Sequence, residues 1–495
     1  MKKLMLSTLI VALLFIFVLA GCNTDDVTTT APSDITTTTG GGTESIWGCT
    51  HVPETVKGKE PTTDSTGLTD GKKCTLCGEI LKTQKVLPAL PIVDGLEYRL
   101  NNDGVSYSVI GIGDIKGGDI NIPSSYKGLP VTEIKQGAFR DCKDITAATV
   151  PGSIKTIGAN AFRDCTGIKS LSIGEGVTFI GNSAFEGCTG LTSATLPNSV
   201  TKTGIAVFMY CSGLKEVKLS TNLAVLENMT FSKCESLEKV EIPDSVKELG
   251  NSAFLGCKSL KSVKLPNGIT EIRTCTFYEC TALESITVPE GVTAIRSQAF
   301  YNCTGLKVMN IPSTLDTIDR EGAFVIFSGC CNVESFNVHP DNPNFLSIDG
   351  VLFTKDGKLG KYTGGREDKK YIAPEFTTMI FMGAFEDCDN LEEVVLPSSV
   401  TVIANSAFRD CDSLKKINIP NVTEIGYSAF RGCDSLESII IPLGVTDIQD
   451  YAFSDCPKLT VYCKEAQKPK KWSKWWVDDD TPVVWLYYPE LNLPI

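Results

Sequence analysis

Apolar and polar positions recur with a fixed step through most of the chain. A phenylalanine followed three residues later by a cysteine occurs at Phe139/Cys142, Phe162/Cys165, Phe185/Cys188, Phe208/Cys211, Phe231/Cys234, Phe254/Cys257, Phe277/Cys280 and Phe300/Cys303, each pair 23 residues after the last. The series continues at Phe327/Cys330 and, after an interruption, at Phe385/Cys388, Phe408/Cys411, Phe430/Cys433 and Phe453/Cys456, which makes 13 copies. Within one unit, Leu260, Val263 and Leu265 read as inward positions of a short parallel strand. Pro266 cannot donate to a ladder and ends that strand, and Ile269 and Ile272 form a second apolar pair before Phe277. A unit this short buries its apolar edge only by stacking on its neighbours, so the pattern predicts a solenoid of parallel strands with little helix.

The repeat bounds the other segments. Residues 91–130 lack the phenylalanine–cysteine pair but alternate like strands, at Tyr107-Ser108-Val109-Ile110 and Ile120-Asn121-Ile122, and read as an N-terminal cap on a solenoid over 131–463. The period breaks at about 335–380. There Ser347–Phe353 and Lys358–Tyr362, joined through Asp356-Gly357, predict a hairpin insertion. In residues 464–495, Lys464, Lys468, Lys470, Lys471 and Lys474 surround Trp472, Trp475 and Trp476. Two readings stand for this end: a cap in which Trp485 and Tyr487 help seal the last apolar edge, or a ligand patch at Trp472, Trp475 and Trp476 for sugar or an acidic polymer.

Thirteen cysteines in one register invite a disulfide or metal reading, and geometry opposes it. Neighbouring turns of a parallel stack lie about 4.8 Å apart with parallel side chains, whereas a disulfide needs a closer, crossed approach. A buried thiol packs as a small apolar group with weak hydrogen-bonding capacity, so the ladder is expected to be structural. Cys275, Cys331 and Cys463 fall off register, and Cys456 with Cys463 is the pair to test for a bridge. The residue after each repeat leucine runs Lys215, Glu238, Lys261, Glu284, Lys307, Glu334, an alternation that suits in-register stacking.

The N-terminus carries a different pattern. Lys2 and Lys3 precede an apolar run from Leu4 to Leu19, the length of a signal-peptide core and short for a membrane span. The run ends in Leu19-Ala20-Gly21-Cys22, which resembles the bacterial lipobox and implies cleavage of residues 1–21 and lipidation of Cys22; an ordinary signal peptide is the other reading. Residues 22–43, rich in Thr, Gly and Asp, read as a disordered tether. In residues 44–90, Cys49 and His51 are followed by Cys74 and Cys77, a spacing that suits a closed zinc site in a zinc-ribbon-like module too short to build a core. A disulfide, a redox pair or free thiols remain alternatives. The stretch Gly67–Gly78 resembles a short cysteine/histidine module of secreted gut-bacterial proteins, which implies zinc.

Composition narrows the function. The chain has 495 residues, 20 cysteines, 2 histidines and a formal charge of -13, so nucleic acid is not an expected partner and multi-histidine metal catalysis is nearly excluded. There is no G-x-S-x-G, H-E-x-x-H or P-loop. The I-P-x-S-V-T-x-I-x-x-x-A-F-x-x-C-x-x-L form resembles the BspA-like leucine-rich repeats of bacterial surface proteins. That resemblance implies adhesion to host proteins, other cells or glycans; together with the lipobox and the lack of a catalytic constellation, the expectation is a monomeric, non-enzymatic leucine-rich-repeat protein, lipid-anchored on the extracellular face of the membrane. Glycan capture for nutrient uptake is the alternative, with an extracellular enzyme behind it.

Overall fold

The computed structural model describes residues 53–58, 67–75, 80–87, 95–318 and 324–488. Among them there is no α-helix; the one helical turn is the 3-10 turn Phe324–Phe327. From residue 95 onward the chain is a solenoid whose turns have three sides.

The first side is a ladder of short parallel strands. Ser193–Thr195, Glu216–Lys218, Lys239–Glu241 and Ser262–Lys264 pair in strict register, Val217 against Val240 and Val240 against Val263. The middle residue of each strand is buried and its two neighbours point outward. Leu260, Val263 and Leu265 face the interior with Phe254 and Ile272. The second side is a parallel ladder of two-residue strands, such as Thr156–Ile157, Phe179–Ile180 and Lys202–Thr203.

The third side contains no strands. Each turn places two left-handed residues around its phenylalanine, Asn160 (φ 55°) and Asp164 (φ 58°) around Phe162, and Ser252 (57°) and Gly256 (69°) around Phe254. This alternation aims every second N–H along the solenoid axis. Asn160, Phe162 and Asp164 donate to the carbonyls of Asn182, Ala184 and Glu186 of the next turn at 2.8, 2.7 and 2.7 Å. The rings stack beneath, from Phe139–Phe162 at 4.8 Å between centroids to Phe300–Phe327 at 6.1 Å. Each fully buried ring contributes about 3 kcal/mol of transfer free energy.

The repeat cysteine completes this side. Cys165, Cys188, Cys211 and Cys234 donate their thiols to the carbonyls of Phe139, Phe162, Phe185 and Phe208, one turn earlier, at 2.9–3.2 Å. The same bonds run through Cys330 and, in the second stack, from Cys411 to Cys456. The thiol thus fills a methyl-sized space while satisfying a second lone pair on a buried carbonyl. Cys142 and Cys388, each the first cysteine of its stack, instead face Arg140 and Glu386 carbonyls at 3.7 and 3.9 Å.

The interruption separates two stacks. Phe327 meets Phe336 edge-on at 5.1 Å, and the second stack starts with Tyr362 against Phe385 at 4.9 Å. Lys361 sits where most other turns carry a buried alanine, as at Ala384 and Ala407. It is 1% exposed, and its ammonium donates to the Gly383 and Glu386 carbonyls at 2.9 and 3.4 Å.

The alternating charges after the repeat leucines stack in register, with the Glu238, Glu284, Lys307 and Glu334 N–H groups donating to the Lys215, Lys261, Glu284 and Lys307 carbonyls and Lys307–Glu334 paired at 3.8 Å. Three expectations need correction. The insertion is a three-stranded meander, because Asp349 (φ 49°) and Gly350 (φ 82°) form a turn that divides Phe345–Ile348 from Val351–Thr354; Lys358–Lys361 then follows the Asp356-Gly357 turn. Cys456 and Cys463 are both thiols, with Cys456 bonded to the Phe430 carbonyl, so the two form no bridge. Finally, Trp472 and Trp476 are buried and are not surface ligand residues. Trp472 donates its indole N–H to the Val445 carbonyl at 3.0 Å, and Trp476 meets Phe453 edge-on at 5.9 Å.

Those tryptophans close the solenoid. The one-directional bonding of the third side leaves three N–H groups of the last turn in need of acceptors. Tyr451 and Phe453 donate to the carbonyls of Trp475 and Trp476 at 2.6 and 2.9 Å, and Asp455 N–H donates to the Asp478 carboxylate at 2.7 Å.

Candidate ligand-binding face

The outward positions of the strand side differ between the two halves of the solenoid. In the first half they are polar and mixed in sign. Glu216 faces Lys239 and Lys218 faces Glu241 across adjacent strands, over a shallow groove of about 820 Å³ that also takes in Thr195 and Lys264. Charges alternate along and across the strands, so this face carries no one-signed field.

In the second half one outward row becomes largely apolar, interrupted by Asn418 opposite Val395. Ile372 lies opposite Val395, and Ile440 opposite Tyr462, which in turn faces Val484. Ile372 is 65% exposed, Ile440 39% and Val484 37%, and Leu443 stands nearby at 56%. The neighbouring row is charged: Lys370 pairs with Glu393 at 3.0 Å, and Glu393 lies opposite Lys416. Lys415 and Lys369 hold Glu392 at 2.7 and 3.5 Å and keep its carboxyl below the usual carboxylate range. An apolar row edged by charge has the anatomy of a protein-contact surface. Sequence reading missed this row, because Ser438-Ile439-Ile440-Ile441 gives no sign of which isoleucine faces out until the strand pairing is known.

The sequence-predicted site residues divide as follows. Cys22, Cys49, His51 and Cys77 lie outside the described residues. Cys74 is buried at the end of the strand Gly71–Cys74, opposite Pro53 in an antiparallel three-stranded sheet. The ladder cysteines from Cys165 on are buried and Cys142, on the first turn, is half-buried. Burial pushes Cys188, Cys234 and Cys257 up, and Cys211 to about 12. Trp475 alone of the predicted tryptophan patch is exposed, at 51%, with the Lys474 ammonium 3.9 Å from its ring centre. Beside the insertion, burial and the neighbouring Glu386, Asp410 and Asp389 raise the Asp387 carboxyl to about 6 against the pull of Lys361.

The model of the BspA-type leucine-rich-repeat region matches residues 132–260, 225–359 and 369–464 in six copies. The chain belongs to this family, a leucine-rich-repeat family of the binding type and not a known enzyme family. Among solved structures it is similar to a leucine-rich cell surface protein from Faecalibacterium prausnitzii. That match has 26% identity and a TM-score of 0.51, and covers 81% of this chain and 96% of that one. A leucine-rich-repeat protein from Bacteroides ovatus shares the fold at 24% identity and a TM-score of 0.53, over 80% and 99% of the two chains. No curated protein matches the chain.

Proposed function

We propose that this chain is a cell-surface binding protein, held to the membrane through lipidated Cys22, whose solenoid takes an extracellular protein ligand on the strand side of its second half. The observation that carries this reading is the exposed apolar row Ile372, Ile440 and Val484 beside the alternating row Lys370, Glu393 and Lys416. Solvent-exposed Ile372 and Ile440, on strands separated by those of Val395 and Asn418, contribute little to the core, whereas desolvating them in a complex is favourable. The leucine-rich cell surface protein of F. prausnitzii supports the placement outside the cell. Among the described residues no helix is long and apolar enough to cross a membrane. Cys49, His51, Cys74 and Cys77 are proposed to hold a structural zinc ion, a reading supported by the Pro53–Cys74 pairing that joins the strands next to the two motifs in sequence. Titration of the full chain against a panel of purified extracellular-matrix proteins tests the binding role. Saturable binding to a member of the panel is expected, and a panel without one counts against adhesion.

A further inference from the structure

We propose that the C-terminal edge carries a second site, separate from the strand face, for an acidic polysaccharide. Tyr427, Tyr451 and Trp475 are 44%, 41% and 51% exposed and lie on three successive turns, which the Ser428 N–H to Asp450 carbonyl bond and the Tyr451 N–H to Trp475 carbonyl bond place in sequence. The two tyrosine rings meet edge to face at 5.7 Å.

Neither backbone preference nor packing accounts for these rings. The position two before the repeat phenylalanine is left-handed in turn after turn, and small or polar residues such as Asn160, Ser183, Ser252 and Ser428 mostly occupy it, with Met229 the bulkiest apolar exception. Tyr451 holds φ 61° there with its ring in solvent, although a bulky side chain is disfavoured in that region. Tyr451 combines this conformation with an exposed aromatic surface, as Tyr210 does at φ 59° in an earlier turn, but Tyr451 alone of the two stands between the exposed rings of Tyr427 and Trp475 on adjacent turns.

The surrounding charge selects the ligand. In a chain of formal charge -13, Lys470, Lys471 and Lys474 are exposed beside Trp475, with Lys474 on the face of its ring. The neighbouring carboxylate, Asp450, is engaged by the Ser473 hydroxyl. Asn405 and Gln449 hold the Tyr427 N–H through their amide oxygens at 2.9 and 3.2 Å and, with Lys358, Glu424 and Gly426, line a cleft of about 460 Å³ that reaches the residue before Tyr427. Aromatic faces suit the C–H faces of sugars, amide groups suit hydroxyls, and lysines suit carboxylate or sulfate. The rings advance one turn at a time, a step of about 4.8 Å that is comparable to one pyranose unit, so the ligand would lie extended along the solenoid axis.

The test is binding of the full chain to polygalacturonate and to heparin, with neutral dextran and a short DNA duplex as further probes, at low and raised salt. Binding to either acidic glycan, weakened by salt, is expected, with Trp475→Ala and the pair Lys471→Glu, Lys474→Glu each weakening it about tenfold. Tyr451→Ser places the residue of the Ser428 turn at the same position, so it is expected to keep the circular dichroism spectrum while weakening binding. Equal binding to dextran, binding to DNA alone, no binding to either glycan, or binding indifferent to these variants would each overturn the proposal. Protein binding through the strand face should be unchanged by all three variants, so failure here is distinguishable from failure there.

Discussion

The thiol of Cys234 donates to the carbonyl of Phe208 at 3.1 Å, and that carbonyl already accepts the N–H of Cys211 in its own turn at 3.1 Å. The cysteine of one turn is therefore the bonding partner of the phenylalanine of the turn before, and the phenylalanine–cysteine repeat is a vertical linkage between coils. Cys234→Ala removes a bond and leaves a small cavity. It is expected to cost about 1–3 kcal/mol, read from a urea unfolding midpoint, whereas Cys234→Ser restores a donor and should cost less.

The same ladder makes the protein alkali-sensitive. Burial raises Cys211 from its ordinary value of 9.0 to about 12, and drives Cys188, Cys234 and Cys257 upward as well. Between those limits the unfolded thiols lose protons that the folded thiols keep. Stability from this source is complete below pH 9.0 and falls as pH climbs toward 12. The thermal midpoint should drop steeply across that window. In the same window native protein should resist iodoacetamide at the ladder cysteines, and a flat midpoint would contradict their burial.

Asp387 produces the same sign at milder pH. Its carboxyl ordinarily titrates at 3.8 and is raised to about 6 by burial and by Glu386, Asp410 and Asp389. The folded state favours its protonated form, so its contribution is present below 3.8 and is lost as pH rises through about 6. Asp387→Asn should leave the midpoint nearly unchanged at pH 4 and raise it at neutral pH; the reverse ordering would contradict the placement of this carboxyl.

The terminal cap should fail from the end inward. Trp472 is buried against Val445 and Trp476 against Phe453, while Asp478 accepts the Asp455 N–H. Trp472→Ala is expected to cost about 3–5 kcal/mol, and hydrogen exchange should accelerate first over the last repeat turn around Phe453. Uniform acceleration along the solenoid would instead mean that the turns unfold as one unit.

The stacking of the turns was legible because one spacing recurs and each Phe–x–x–Cys pair marks the same point of its coil. What was hidden depends on pairing between strands. Asp349 and Gly350 turn the chain inside what reads as one apolar run, and Ile440 faces out between buried Ile439 and Ile441. The lysines around Trp472 and Trp476 suggest an exposed patch, yet both indoles turn inward because the last turn's donors and apolar edge need covering. Tyr427 and Tyr451 gave no signal at all, since their exposure is a property of the turn register.

The outward row of the second half is proposed as a protein-binding surface. Its most direct test is the affinity of the full chain for its extracellular-matrix protein ligand, compared with Ile372→Asp and Ile440→Asp. Both side chains project into solvent, so the variants should keep the wild-type melting midpoint. The account predicts a loss of at least about tenfold in affinity for each, the cost of placing a charge in the apolar centre of an interface. Affinity unchanged by both substitutions, with the fold intact, would contradict it.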